Sequence, residues 1–316
     1  MTGPETFTIE PSGPFSLEEA AMFGFGQWHD TRFDGTMRLA FCVDGYDAQV
    51  GVAITQDARG TVFGTVAGMT GDPSATSVRA QVARVLSLDH DAIGYVAVGD
   101  RDPVIGRLLA AAPGLRPPLF YSPYEAALWA ILSARRPSQT AEAWRRKLSG
   151  ALGAGFDVAG SMMWSVPLPA RIEAAGADAV EAATGMDATR AQRIVAVAQA
   201  AIDGRLDAGA LTTADVDSAR ATLRTIPGIG PFYADLVLIR GTGITDLLPT
   251  NEPRMLALIG ELYRLGGPAT GAQADAIAET WSPWRTWVAV LVRAAGPRVL
   301  GQSPPSRATR ASASRT

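Results

Sequence analysis

The sequence has little of what disulfide frameworks and metal centres require. Cys42 is the only cysteine among 316 residues, which excludes an intramolecular disulfide and any zinc or iron–sulfur site built from several cysteines. The two histidines, His29 and His90, are isolated in the chain, and we interpret both as structural or solvated. The composition therefore predicts no cofactor.

Long apolar runs and excess positive charge are also absent. No stretch approaches the roughly 20 apolar residues of a membrane helix, and the N-terminus lacks a signal-peptide pattern, so we expect a cytoplasmic protein. The net charge of −3 by itself disfavours nucleic acid as a partner, but binding depends on where the charge lies. Lys147 is the only lysine, so the basic residues are nearly all arginine. Arginine suits the recognition of phosphate, but a high-GC coding sequence explains the same bias.

Hydrophobic periodicity predicts an α+β fold. Residues 36–69 alternate between apolar and polar positions, which predicts an antiparallel sheet, and residues 72–89 have helical spacing with Asp72 as the expected cap. The segment APGLRPP at 112–118 interrupts the pattern. We therefore predict an α+β accessory domain at 1–113.

The rest of the chain is predicted to be almost entirely helical. Short helical patterns separated by Gly and Pro follow from Ser122 onward, without a fixed repeat. The sequence predicts an all-α domain at 114–300, with two helical subdomains flanking a cleft. The polar, Ser- and Pro-rich tail at 301–316 is predicted to be disordered.

A bare turn separates two predicted helices in the segment LRTIPGIGPFYADLVLIRG, which runs from Leu223 to Gly241. The turn comprises Pro227, Gly228, Ile229 and Gly230, and a proline then opens the second helix. The unpaired N–H groups at the start of that helix form an anion site without a charged side chain, so a DNA phosphate is a suitable ligand. The alternative is a plain connection between helices.

This segment, followed by LLPTNEPR and WSPWRTWVAVLVRAAG, resembles the helix–hairpin–helix (HhH-GPD) superfamily of DNA glycosylases. The branch it resembles is the bacterial 3-methyladenine DNA glycosylase II type. GLRPPLFYSPYEAALWAILSARRPS supports that branch, and the resemblance covers roughly residues 1–300. It implies a DNA-repair enzyme that acts on double-stranded DNA as a monomer.

The resemblance implies a catalytic carboxylate in the loop after the second hairpin helix. The family aspartate falls on Glu252 when positions are counted from Gly228, and on the uncharged Asn251 when the Leu-Pro pair is aligned. We favour Glu252. Its alternative role is that of a helix cap paired with Arg254 or with the helix dipole. The lysine of bifunctional family members is replaced by Phe232, so no lyase step is expected.

Other sites follow from the same resemblance. The matching positions of the base pocket carry Phe232, Leu236 and Arg293, with fewer aromatics than in the family, so the preferred base is expected to differ from 3-methyladenine. Trp129 is a further candidate aromatic for the pocket, and its alternative is a place in the core. The alternative for Arg293 is a position toward solvent or phosphate.

The loop after AIL places Arg135 where the family inserts an apolar wedge into DNA. Its neighbour Arg136 is then expected to reach a phosphate, and the alternative is a solvated pair of arginines. A monovalent cation, Na⁺ or K⁺, is expected on the backbone carbonyls of Gly228 and Gly230.

The sequence thus predicts a monofunctional glycosylase that excises an alkylated or otherwise modified base in base excision repair. One alternative is a lesion-binding protein of the same fold without catalytic activity. Another is a helical protein whose hairpin is only a connector.

Overall fold

The computed structural model describes residues 5–23, 33–249 and 252–302. His29, Asn251 and nearly all of the predicted disordered tail lie outside these ranges. The predicted α+β class is confirmed, because a small antiparallel sheet precedes a body made largely of helices. Within the described ranges, no helix combines the length and the apolar character needed to cross a membrane.

Strands form one sheet and one separate hairpin. The sheet is antiparallel throughout, in the order β1-β4-β3-β2, and the hairpin pairs β5 with β6. The strands are β1 (Thr6–Ile9), β2 (Met37–Cys42), β3 (Gln49–Gln56), β4 (Val62–Thr70), β5 (Gly155–Val158) and β6 (Ser161–Trp164).

The helices supply the rest of the fold. They are α1 (Leu17–Phe23), α2 (Ala75–Val85), α3 (Ile93–Val96), α4 (Val98–Arg101), α5 (Pro103–Ala111), α6 (Pro123–Ser133), α7 (Ser138–Leu152), α8 (Pro169–Thr184), α9 (Ala188–Ile202), α10 (Ala208–Thr213), α11 (Val216–Arg224), α12 (Pro231–Val237), α13 (Pro253–Leu262), α14 (Gly271–Ala278) and α15 (Arg285–Val299). A π-helical turn, Leu238–Thr242, continues α12.

The sheet forms where alternation predicted it. Along β4, buried positions alternate with exposed ones, which is why the period-2 pattern is visible in the sequence. The predicted cap of α2 is wrong, since Ser74 rather than Asp72 is the N-cap. Its hydroxyl accepts a hydrogen bond from the Ser77 amide at 3.1 Å.

The sequence does not predict the β5–β6 hairpin, which interrupts the helical part and packs on the sheet. Phe156 of β5 lies against Gly51 and Gly68 of the sheet, and a Cβ on Gly51 would lie only 2.5 Å from the Phe156 Cβ. Gln49 donates hydrogen bonds to Ser165 at 2.6 Å and to the carbonyl of Val166 at 2.7 Å, both just after β6. The two parts of the chain are therefore closely joined.

Three large apolar cores organise the described residues. One lies between the sheet and α2, and a second lies among α6–α12. The third joins residues 92–115 to α13–α15, so the apolar clusters do not divide at residue 113. The domain boundaries predicted above remain predictions.

Glu125 is a buried carboxylate at the start of α6. It is 3% exposed and forms an ion pair with Arg145, with 3.2 Å between Nη2 and Oε2. Burial raises the pKa of Glu125 to about 7, although Arg145 acts in the opposite direction. The folded protein therefore holds a proton on this carboxyl that the unfolded chain releases at a lower pH.

We predict that Glu125 makes the protein less stable as the pH rises. Between the unfolded pKa of 4.5 and the folded pKa of about 7, the native state binds more protons, so its stability falls with increasing pH. The unfolding free energy of the wild-type protein minus that of Glu125→Gln should fall by up to about 3 kcal/mol as the pH rises through this window. Urea unfolding of both proteins from pH 4.5 to 8 measures it. A constant difference, or one that grows with pH, would contradict the assignment.

Candidate functional site

The turn between α11 and α12 is exposed to solvent, as a binding role requires. Pro227 and Gly228 are exposed, whereas Ile226 and Ile229 are buried and anchor the turn in the core of α6–α12. Gly228 has a φ of +94°, a conformation that favours glycine. Gly230 is the N-cap of α12 and provides no side-chain cap, so the first amide groups of this helix have no intrahelical acceptor.

Arg193 of α9 lies directly beside this turn, and sequence reasoning did not identify it. A Cβ on Gly228 would lie 2.9 Å from the Cδ of Arg193 and 2.8 Å from the Cδ1 of Ile131. The Arg193 side chain is exposed, and no described residue accepts a hydrogen bond from it. The turn thus has an arginine next to its open amide groups.

The loop that leads from α12 to α13 is attached to the first turn of α15. Asp246 accepts two hydrogen bonds from the Arg285 guanidinium, at 2.8 and 2.9 Å, and one from Ser282 at 3.0 Å. Burial acts to raise the pKa of Asp246, but the hydrogen bonds from Arg285 and Ser282 outweigh it and lower the pKa. Thr286 also binds both the amide and the carbonyl of Leu247 at 2.9 Å.

Glu252 lies at the end of this loop and has two partners. As the N-cap of α13 it accepts a hydrogen bond from the Met255 amide at 3.2 Å. Its other oxygen forms an ion pair with the Arg293 guanidinium of α15. The side chains are 25% and 33% exposed, so both reach solvent. Glu252 therefore has the capping role considered above, and Arg293 contacts a carboxylate, a pairing that the sequence analysis did not predict.

A second guanidinium lies close to this ion pair. Arg240, in the π-helical turn, is 6% exposed and donates a hydrogen bond to the Pro118 carbonyl at 2.5 Å. Burial, and secondarily the positive charge of Arg293, lowers the pKa of Arg240 to about 9. A second positively charged side chain thus lies near the ion pair of Glu252 and Arg293.

The predicted pocket positions lie on three helices: Phe232 and Leu236 on α12, Trp129 on α6 and Arg293 on α15. Phe232, in the first turn of α12, is 49% exposed, and its ring centroid lies 5.2 Å from that of Tyr233. Leu236 is half-buried and precedes Arg240 by one helical turn. Trp129 of α6 packs on the core of α6–α12, with its ring 6.5 Å from Phe120. A contact of these side chains with a base remains a prediction.

Arg135 lies exposed in the loop between α6 and α7, with a φ of +53°. The neighbouring guanidinium of Arg136 lies over the Trp144 ring, 5.7 Å from its centroid. A non-glycine residue with positive φ is strained, so neighbouring side chains must stabilise the backbone of this loop.

Arg190 of α9 provides that attachment. Its guanidinium donates hydrogen bonds to the carbonyls of Ile131 and Ala134, the latter at 3.2 Å, and lies 5.2 Å from the Trp144 centroid. It therefore satisfies carbonyl groups at the C-terminal end of α6, which have no intrahelical donor. The sequence signal for Arg190 and Arg193 is a pair of arginines three residues apart on one helix, a spacing also typical of a solvated face.

We predict that the two glycines of the turn tolerate substitution differently. Gly228→Ala introduces a Cβ into the short contacts with Ile131 and Arg193 at positive φ, so it should lower the unfolding free energy by about 1–3 kcal/mol. Gly230 has a φ of −87° and no other heavy atom near its Cβ position, so Gly230→Ala should change stability by about 0.5 kcal/mol or less. Urea unfolding compares them, and an equal loss in both variants would contradict the geometry.

Replacing Arg190 should loosen the Arg135 loop. Arg190→Met retains the aliphatic stem but leaves the α6 carbonyls without their donor, so we expect a loss of about 2 kcal/mol in unfolding free energy. Hydrogen exchange of the amides at 134–136 should become faster. Arg146→Met, at an exposed position of α7, is the control and should have little effect. Unchanged exchange in the Arg190 variant would argue against its role.

Comparisons with known proteins agree with this architecture. No protein-family model matches the chain. The chain is 33% identical over 183 residues to DNA-3-methyladenine glycosylase 2 of Escherichia coli K12, a match that spans 58% of this chain and 61% of that protein. The chain thus matches about three fifths of the length of this curated relative.

Solved structures share the fold over nearly the whole chain. A 3-methyladenine DNA-glycosylase from Archaeoglobus fulgidus superposes with a TM-score of 0.74 at 21% identity, covering 90% of this chain and 97% of that one. An 8-oxoguanine glycosylase/lyase from Clostridium acetobutylicum gives 0.66 at 15% identity, covering 91% and 98%. The predicted resemblance is confirmed: the chain is similar in sequence to the bacterial 3-methyladenine DNA glycosylase II type and has the fold of DNA glycosylases.

Proposed function

We propose that this protein is a DNA glycosylase of base excision repair, which hydrolyses the N-glycosidic bond of an alkylated or otherwise modified base in double-stranded DNA. One observation carries the proposal: in a chain similar to DNA-3-methyladenine glycosylases, the loop after the α11–α12 turn holds a solvent-accessible carboxylate, that of Glu252. The products are a free base and an abasic site.

The exposed turn at 227–230 is the proposed contact with the DNA backbone. Its open amide groups and the positive end of the α12 dipole attract a phosphate, and Arg193 adds a charged donor beside them. This arrangement supports DNA binding despite the net charge of −3, because it places donors locally. Arg135, in the loop between α6 and α7, is proposed to add a second exposed arginine to this DNA contact.

Arg135 is the proposed wedge. A base reaches a catalytic pocket only after leaving the stack, and a side chain that fills the vacated space stabilises that state. Arg135 is exposed and has no acceptor among the described residues, while Arg190 holds the backbone beneath it. Arg136 is proposed to contact a phosphate from its position on Trp144.

Glu252 is the proposed catalytic carboxylate. Departure of the base leaves positive charge on the sugar, and a nearby carboxylate stabilises that charge and orients the attacking water. The cap interaction with Met255 orients the Glu252 side chain in the half-buried loop. Asn251 is the alternative at this place in the sequence.

We propose that the protein has no lyase step. A Schiff base requires a lysine amine, and Phe232 occupies the relevant sequence position. The single lysine, Lys147, lies on α7 and donates a hydrogen bond to the Thr184 carbonyl at 3.3 Å. The enzyme is therefore proposed to be monofunctional, unlike the Clostridium acetobutylicum protein, which is named a glycosylase/lyase.

The alternative of an inactive lesion-binding protein has less support, because the Escherichia coli relative is named a glycosylase and Glu252 supplies a carboxylate.

We also propose that the protein acts as a monomer in the cytoplasm. The backbone cation expected at Gly228 and Gly230 remains a proposal. The Gly230 carbonyl already accepts the Ala234 amide at 2.9 Å, and no step of the reaction depends on the ion.

We predict that Glu252→Gln strongly slows base release while the protein still folds and binds DNA. Loss of one group that stabilises transition-state charge lowers the rate by about 100- to 1,000-fold. Mass spectrometry of bases released from a panel of damaged duplexes measures this rate, and circular dichroism monitors folding.

The matched control is Glu261→Gln in α13, the helix that Glu252 caps. The Glu261 carboxylate is exposed and accepts a hydrogen bond from Gln302 at 2.7 Å. This variant should release bases at the wild-type rate. Undiminished release by Glu252→Gln would remove Glu252 from the mechanism, and lesion binding without release by the wild-type protein would favour the inactive alternative.

A further inference from the structure

The loop between α6 and α7 contains an arginine whose guanidinium has no partner within the described part of the protein. Arg135 is exposed, and no described residue accepts a hydrogen bond from it. The two neighbouring guanidinium groups are occupied, since that of Arg136 lies over the Trp144 ring and that of Arg190 binds backbone carbonyls at the end of α6. Arg135 therefore has its five N–H donors available for a ligand.

The backbone holds Arg135 in a fixed place. Its φ is +53°, a strained value for a non-glycine residue, and strained residues cluster at active sites and ligand clamps. The Arg136 amide donates a hydrogen bond to the Ser133 carbonyl at 3.1 Å. Arg190 donates one to the Ala134 carbonyl at 3.2 Å. The loop thus presents one guanidinium to solvent from a backbone that loses little freedom when a ligand binds.

The loop lies beside the turn that is proposed to bind the DNA backbone. Ile131, in the last turn of α6, has its Cδ1 only 2.8 Å from the position of a Cβ on Gly228. Arg190 and Arg193 lie about one turn apart on α9, and the first binds the end of α6 while the second lies beside Gly228. A duplex that binds the turn through a phosphate therefore also meets the Arg135 loop.

A guanidinium that enters the space of a flipped nucleotide faces the Watson–Crick edge of the unpaired base in the opposite strand. It can only donate hydrogen bonds to that edge. Cytosine offers two adjacent acceptors there, N3 and O2, which match the guanidinium fork. Thymine offers two acceptors separated by a donor, adenine offers one acceptor beside one donor, and guanine offers one acceptor beside two donors. The unpaired base that suits an arginine best is therefore cytosine, and guanine suits it least.

We propose that Arg135 is a specificity-determining residue that reads the base left unpaired opposite the lesion and favours cytosine, so that the protein acts preferentially on damaged guanines. This inference rests on the proposed function and names its substrate class. Damaged adenines, which lie opposite thymine, come second, and damaged pyrimidines come last. The selection precedes bond cleavage, because it is made by a contact with the undamaged strand.

The test uses duplexes that require no cleavage. Each contains one tetrahydrofuran abasic-site analogue opposite cytosine, thymine, adenine or guanine, so the opposite base is the only variable. Fluorescence anisotropy at several salt concentrations gives the Kd for the wild-type protein, Arg135→Leu and Arg135→Lys. Arg193→Met, which removes the proposed phosphate contact beside Gly228, is the comparison. Arg146→Met, at an exposed position of α7, is the control.

We expect the wild-type protein to bind the duplex with cytosine at least about 10-fold more tightly than the duplex with guanine, with thymine and adenine between them. Arg135→Leu should bind all four duplexes almost equally. Arg135→Lys keeps the charge without the fork, so it should retain only part of the preference. Arg193→Met should weaken binding to all four alike and reduce the slope of log Kd against log salt by about 0.9, and Arg146→Met should change neither quantity.

Two results would overturn the inference. One is equal affinity of the wild-type protein for the four duplexes, and the other is the same fractional loss on all four in Arg135→Leu, which a phosphate contact or a structural role would give. Circular dichroism identifies misfolding, and Arg135→Lys keeps the test decisive if Arg135→Leu does not fold.

The same duplexes separate this inference from the proposed function. Wild-type binding in the expected order, without release of a base from any damaged duplex, would refute the glycosylase activity and leave the reading of the opposite base supported. Failure of the wild-type protein to bind any of the four duplexes would refute both.

Discussion

The hydrogen-bonded pair of Asp246 and Arg285 is the interaction on which the candidate site depends. It attaches the loop after α12 to the first turn of α15, and Thr286 adds a second attachment one residue further along. The same helix carries Arg293, the partner of Glu252. Both members of the ion pair are therefore positioned by α15, and this packing supplies the rigid support that the proposed catalytic carboxylate needs.

The fold reconciles the acidic composition with the proposed contact to DNA. Arginines such as Arg190, Arg240 and Arg285 bind carbonyl oxygens or carboxylates and hold loops together. The exposed Arg135 and Arg193 differ, because no described residue accepts a hydrogen bond from either. Together with the open amides of the turn, they concentrate donors on one part of the molecule, which matters more for phosphate binding than the overall charge does.

The sequence predicts those parts of the structure that depend on local patterns. β2–β4 and most helices bury a regular face, so their periodicity is visible, and the turn at 227–230 is evident from its glycines and prolines. The β5–β6 hairpin is not predicted, because four-residue strands have almost no measurable period and this pair depends on contact with distant sheet glycines. The pairing of Glu252 with Arg293 and the attachment by Arg190 likewise arise from tertiary packing, which no local spacing reveals.

The packing of Phe156 on Gly51 and Gly68 limits how the protein can be divided into separately expressed fragments. The aromatic ring belongs to the helical part of the chain, but its complementary surface belongs to the sheet. A fragment beginning after the sheet would expose this ring to water together with the strand edge beside it, and the sheet alone would carry an empty hollow. The two halves are thus mutually dependent for solubility, and neither is expected to be stable as a separate fragment.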